Sequence, residues 1–84
     1  MVQELMVYLN GRMVPDSQAV ISIHDEGFVH GNAVFDVTRT FRHSIFKLDE
    51  HLDRLYGSLR YLRIDPGLSK KEMANLTQQV LDTN

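Results

Sequence analysis

VFDVTRTFRHSIFKLDEHLDRLYGSLRYL, residues 34–62, changes its hydrophobic period halfway along, and that change decides the fold. From Val34 to Phe41 the period is two. Phe35, Val37, Arg39 and Phe41 share one face, and Val34, Asp36, Thr38 and Thr40 share the other, as side chains do on a pleated strand. "RHS" (42–44) makes a hairpin connection and "IFKL" (45–48) pairs back. Beyond that point the period lengthens to about 3.6. Leu48, Leu52, Leu55, Tyr56, Leu59 and Leu62 form one stripe on a helix predicted from Asp49 to Arg63, as an amphipathic helix requires. Asp49, Glu50 and Asp53 load its first turn with acid, and Arg60 and Arg63 sit in its last, which the helix dipole favours.

Upstream the chain reads as more strands. "LMVYL" (5–9) is strand-like, "NG" (10–11) is the strongest short hairpin signal, and "RMV" (12–14) returns antiparallel until Pro15 stops it. "PDSQ" (15–18) has turn chemistry and "AVISI" (19–23) reads as another strand. Gly27 and Gly31 bracket an irregular approach at 24–33, where backbone freedom is wanted. Downstream, "DPG" (65–67) ends the first helix, and Ser69 with Glu72 makes a capping box. A second amphipathic helix follows, with Met73, Leu76, Val80 and Leu81 on its inner side. The order of elements predicts an α+β fold: an antiparallel β meander followed by two amphipathic helices packed on one face. Residues 1–84 show no repeat, low-complexity tract or linker, so one domain is expected.

Composition narrows the function. A domain of 84 residues buries only about 60–65% of its unfolded surface, which leaves little margin of stability. Hydrophobic and charged contents of 43% and 24% are those of a soluble globular protein. A net charge of −2 offers no basic footprint, so no nucleic-acid partner is expected. Without cysteine there is no disulfide, thiolate nucleophile or thiolate metal site. No apolar run reaches membrane-spanning length, and "MVQELMVYLNGR" (1–12) lacks a signal-peptide pattern. A cytoplasmic location is the default.

Chemistry is sparse on the residues alone. His24, His30, His43 and His51 do not stand at metal-ligand spacings. Asp49, Glu50 and His51 are adjacent, but successive helical side chains diverge by about 100°, so no metal site is expected. Gly57, a costly residue inside a helix, is expected to let the helix approach the sheet closely.

A resemblance carries the reading further. "VYLNGRMVP" (7–15), "SIHDEGFVHGNAVFDVTRTF" (22–41) and "IFKLDEHLDRLYGSLRYLRI" (45–64) together resemble the N-terminal small domain of class IV aminotransferases. These are the fold-type IV pyridoxal-phosphate enzymes, which include branched-chain and D-amino-acid aminotransferases and aminodeoxychorismate lyase. The likeness covers about residues 5–84. Members of that family are much longer and carry their Schiff-base lysine in a large C-terminal domain. Lys47, Lys70 and Lys71 match no such position, so the resemblance implies no catalytic residue in this chain and no activity for it alone.

What the resemblance implies residue by residue starts with Arg54. In "EHLDRL" (50–55) it stands where the family's arginine binds the cofactor phosphate, and a planar guanidinium suits that task. The alternative is an exposed arginine paired with Glu50 at i,i+4. Phe35 and Val37 match positions that face the substrate pocket. Val37 stands where branched-chain enzymes tend to have glycine, which narrows the pocket. His30 stands where those enzymes commonly show a substrate-proximal tyrosine, the alternative being a loop histidine in water. Arg39 shares the face of Phe35 and Val37 and could so approach a substrate carboxylate, the favoured alternative being a solvated strand arginine near the hairpin end. Gly31 reads as permitting a tight strand entry. The implied whole is a homodimeric enzyme that uses pyridoxal 5'-phosphate to move an amino group between an amino acid and a 2-oxo acid. Its alternatives are an aminodeoxychorismate-lyase-type enzyme and a non-enzymatic dimerising module.

Overall fold

Two residues that tolerate positive φ, Asn10 (48°) and Gly11 (91°), reverse the chain into the first hairpin. The computed structural model describes residues 4–84, so the first three residues of the expected domain lie outside it. Strand β1 (Met6–Leu9) pairs antiparallel with β2 (Arg12–Pro15), with Val7 opposite Val14 and Met6 opposite Pro15. A single 3₁₀ turn at Asp16–Gln18 follows. Residues 19–23, expected as a strand, form none, and Val20, Ile21 and Ile23 are exposed. The β-branched run has no neighbouring strand to pair with here, and β propensity without a partner is weak.

The stretch 24–33 is more regular than expected. Asp25 caps a short helix α1 (Glu26–His30) by accepting from the Gly27 N–H at 2.8 Å. Gly31 (φ 67°) is its left-handed C-cap rather than a strand entry. From Val34 to Arg39 burial alternates as the sequence predicts, with Val34, Asp36 and Thr38 half-buried and Phe35, Val37 and Arg39 exposed. Only its end pairs: β3 (Thr40–Phe41) with β4 (Ser44–Ile45), around Arg42 and His43. The expected strands 34–41 and 45–48 thus shrink to two residues each. The α+β class stands, with the strands arranged as two separate hairpins.

Helix α2 (Leu48–Leu62) lies within one residue of its expected bounds, and helix α3 (Lys70–Thr83) begins directly after the expected cap at Ser69. Ser69 Oγ accepts from the Glu72 N–H at 3.1 Å while the Glu72 carboxylate accepts from the Ser69 N–H at 2.9 Å. Such a cap is worth about 1 kcal/mol. The Ser69 backbone N–H, and then its hydroxyl, hold the Glu72 carboxyl below its ordinary value. The Tyr56 hydroxyl donates to the Leu68 carbonyl at 2.7 Å and ties α2 to the loop that enters α3. Burial, then the Glu72 charge, push that phenol upward. Gly57 does not serve a close approach: a Cβ there would meet nothing nearer than Arg60 Nη2 at 3.9 Å.

The core is thin. Val14, Leu52 and Leu59 are buried, and no side chain among the described residues is fully enclosed. Burying a leucine is worth about 1.5–3 kcal/mol, so three such residues supply little. The shape agrees: a slab of 39 × 30 × 17 Å with a radius of gyration of 13.9 Å, where a compact chain of this length has about 12 Å. Phe35 (86% exposed), Val37 (73%) and Phe41 (67%) lie bare, as a face awaiting a partner would.

Candidate functional site

Residues three apart on a helix share a face, so α2 presents His51 and Arg54 together. The extended segment before β3 brings Asp36 to them from the other side. Asp36 accepts from Arg54 Nε at 2.8 Å (to Oδ2) and Nη2 at 2.9 Å (to Oδ1), a two-pronged carboxylate–guanidinium pair. Its Oδ1 also lies 2.7 Å from His51 Nδ1. Asp36 is nearly buried (side chain 11% exposed), His51 is partly covered and Arg54 is open at 66%.

Charge fixes the protons. The Arg54 hydrogen bonds first, and that of His51 second, hold the Asp36 carboxyl far below the usual carboxylate range, against a smaller opposing effect of burial. Asp36 is therefore an anion with acceptors only, so the 2.7 Å contact requires a proton on His51 Nδ1. The 3.0 Å approach of Arg54 Nη2 to the same nitrogen is then a close contact between two donors, held by the carboxylate between them. The Arg54 guanidinium is shifted upward by the same partner and stays charged throughout.

The outcome for Arg54 departs from the helix-surface alternative: its partner is Asp36, eighteen residues away, and not Glu50. Asp36 pins the Nε–Nη2 edge, and no hydrogen bond among the described residues engages Nη1. A cation locked along one edge and open along the other fits a phosphate, since guanidinium binds phosphate through paired N–H groups.

The other expected site residues scatter. Phe35 and Val37 flank Asp36 in sequence but lie on the opposite, exposed face. Arg39 stacks over the Phe46 ring at 5.2 Å and lines a shallow cavity of about 450 Å³ with Thr40, Phe41 and Phe46. His30 sits in α1 with its Nδ1 2.9 Å from Glu26 Oε2, both exposed. Of the five, only Arg54 joins the Asp36 cluster. Beneath that cluster lies an apolar crevice of about 140 Å³ bordered by Asp36, His51, Leu52 and Met73. No group of metal-ligating side chains assembles among the described residues. Lys70 forms an ion pair with Asp53, and Lys47 is the left-handed residue before α2.

Asp36 and His51 are the residues that sequence reasoning passed over. One signal was available: a carboxylate on the half-buried side of a strand, where aspartate is depleted, needs a cationic partner.

Comparison with known proteins places the chain. The family model of amino-transferase class IV matches residues 33–84. The chain is 39% identical over 80 residues to a Methanocaldococcus jannaschii protein provisionally named a branched-chain-amino-acid aminotransferase, covering 95% of this chain and 28% of that protein. It is 37% identical over 79 residues to the aminodeoxychorismate lyase of Bacillus subtilis, covering 94% and 27%. To the D-alanine aminotransferase of Bacillus licheniformis it is 34% identical over 80 residues, covering 95% and 28%. The chain belongs to the class IV aminotransferases, whose complete enzymes depend on pyridoxal 5'-phosphate. It spans little more than a quarter of the length of the curated relatives it matches.

Proposed function

We propose that this chain is the phosphate-anchoring N-terminal part of a pyridoxal-phosphate aminotransferase that moves an amino group between an amino acid and a 2-oxo acid. The observation that carries the reading is the Arg54 guanidinium, pinned on one edge by Asp36 and open on the other. Arg54 holds the phosphate, Asp36 orients Arg54, and His51 keeps its Nδ1 proton on Asp36 so that the carboxylate stays put. When bound, the cofactor supplies the electron sink and the protein supplies orientation. Phe35, Val37, His30 and Arg39 border the substrate side once the rest of the polypeptide closes over the bare face. The covalent lysine comes from that remainder, so the 84-residue chain is inactive alone. The working enzyme is a cytoplasmic homodimer, and no helix among the described residues is long and apolar enough to cross a membrane.

A second reading rests on the 37% identity to a lyase. It assigns the same anchor to an enzyme that eliminates pyruvate. Product analysis on the longer polypeptide from the same reading frame separates them: a new amino acid marks transfer, and free pyruvate marks elimination. In that polypeptide Arg54→Ala is expected to raise the cofactor dissociation constant roughly ten- to a hundredfold, the loss of a charge-assisted phosphate contact. An unchanged constant, read from cofactor absorbance, would take Arg54 out of the site.

A further inference from the structure

Asparagine stands at positions 10, 32, 75 and 84, and it is among the chemically labile residues of a protein. It is lost when the backbone nitrogen of the next residue attacks its side-chain carbonyl carbon. That attack needs a nitrogen free of hydrogen bonds, a next residue without a side chain in the way, and a backbone that can flex.

The structure withholds these conditions from three of the four. Asn32 is followed by Ala33, whose N–H donates to the Gly31 carbonyl at 2.9 Å. Asn75 lies inside α3, where the next N–H belongs to the helical ladder and carries the side chain of Leu76. The Asn84 carboxamide is tied to the Met6 N–H and carbonyl and to the Val80 carbonyl. Asn10 differs on every count. It and Gly11 are exposed at the tip of the first hairpin. No backbone–backbone hydrogen bond outside the regular elements engages the Gly11 N–H among the described residues. A Cβ at Gly11 would meet nothing within 4 Å, so the approach to its nitrogen is open. Glycine is the most permissive residue in φ and ψ, and loop tips open at little cost.

We infer that Asn10 is a self-modification site, at which the chain converts its own carboxamide and thereby unzips part of its first hairpin. The Gly11 nitrogen loses its proton to solvent base and bonds to Asn10 Cγ. The Cγ–Nδ2 bond breaks, and ammonia leaves with a proton from water. One water molecule then opens the cyclic imide. Addition at Cγ gives aspartate on an ordinary backbone, and addition at the backbone carbonyl carbon gives isoaspartate, through whose side chain the backbone now runs. The two products part ways structurally. Asp-Gly suits this turn as Asn-Gly does. Isoaspartate adds a backbone carbon between Leu9 and Arg12, which face each other across the hairpin, and turn length fixes hairpin register. The damage spreads to α3, because β1 holds Asn84 through Met6. None of this depends on the proposed function.

The folded polypeptide that carries residues 1–84 is aged at neutral and at mildly alkaline pH, then cleaved with trypsin and weighed peptide by peptide. The peptide ending at Arg12 should gain the amide-to-acid mass difference roughly tenfold faster than those with Asn32 or Asn75, whose backbones are held more tightly. The rate should rise with pH, since the attacking nitrogen must first lose its proton. Part of the product should resist a protease that cuts before aspartate, which marks isoaspartate. Asn10→Asp supplies the other product directly. Its β1 amides should exchange with solvent as in fresh protein, while those of the isoaspartyl fraction exchange faster. Equal conversion at Asn10, Asn32 and Asn75 would overturn the inference. So would conversion that occurs only after denaturation, aspartate as the sole product, or an isoaspartyl fraction whose β1 amides exchange like those of Asn10→Asp.

Discussion

The hairpin at Asn10–Gly11 and the hairpin at Arg42–His43 both turn on two residues of positive φ, 48° and 91° in one, 51° and 62° in the other. Asparagine and glycine adopt that conformation readily, and arginine and histidine do so at a cost of about 1–2 kcal/mol each. The first hairpin carries four-residue strands and the second only two-residue strands. Local chemistry is enough to close the first. The second is closed by its surroundings. Arg42 lies over the Phe41 ring at 5.3 Å, and Arg39 and Lys47 lie over Phe46 at 5.2 and 5.5 Å. Thr38 Oγ1 donates to the Phe46 carbonyl at 3.1 Å, and His43 reaches Asp82 of α3 at 3.4 Å. Strain of this kind concentrates at functional sites, and here it sits next to the segment that delivers Asp36 to Arg54.

The strongest way to break this comparison is to give the first hairpin the second one's turn. Asn10→Arg with Gly11→His should cost about 2–4 kcal/mol, about 1–2 for each residue, read as a lower denaturant midpoint, because a Cβ at Gly11 would meet nothing within 4 Å that could compensate. A gap near zero would mean that the Asn-Gly turn contributes little. The reverse graft is smaller. Arg42→Asn with His43→Gly should stabilise by about 1 kcal/mol at most, since relief of strain is offset by the lost contacts to Phe41 and Asp82. Loss of stability instead would show that those contacts outweigh the backbone strain.

The same contrast explains what the sequence could disclose. Asn10–Gly11, the Ser69–Glu72 box and the leucine stripe of α2 are local signals, each complete within a few residues, and each forms where it is read. Arg42–His43 has no turn residue, so only the flanking alternation points to a hairpin. The period of two over 34–39 sorts buried from exposed side chains correctly, yet the segment pairs with no strand among residues 4–84, because pairing depends on a neighbour and not on the run itself. Residues 19–23 fail for the same reason. At the site, Arg54 was legible through its place in "EHLDRL", whereas Asp36 became visible only when an extended segment and a helix met.

Acid sharpens the comparison with the smallest expected effect. The Asp36 carboxyl lies below its unfolded value because of Arg54 and then His51. A group of this kind stabilises the fold fully above the unfolded pKa, near 3.9, and its contribution is lost as pH falls through the lower folded value. Between pH 5 and about 4 the backbone resonances of 34–39 should therefore not move. They should begin to shift only well below the ordinary carboxylate range, as pH approaches the lowered folded value, while those of β1 and β2 hold, because the first hairpin depends on no such carboxylate. Glu72, also lowered, responds at the start of α3, so position in the chain tells the two apart. Asp36→Asn should abolish the response at 34–39 and leave that of α3 intact. Movement of 34–39 already between pH 5 and 4, with the Asp36 carboxyl titrating at its ordinary value, would show that the clasp on Arg54 does not form in solution. The second hairpin would then have lost the anchor that distinguishes it from the first.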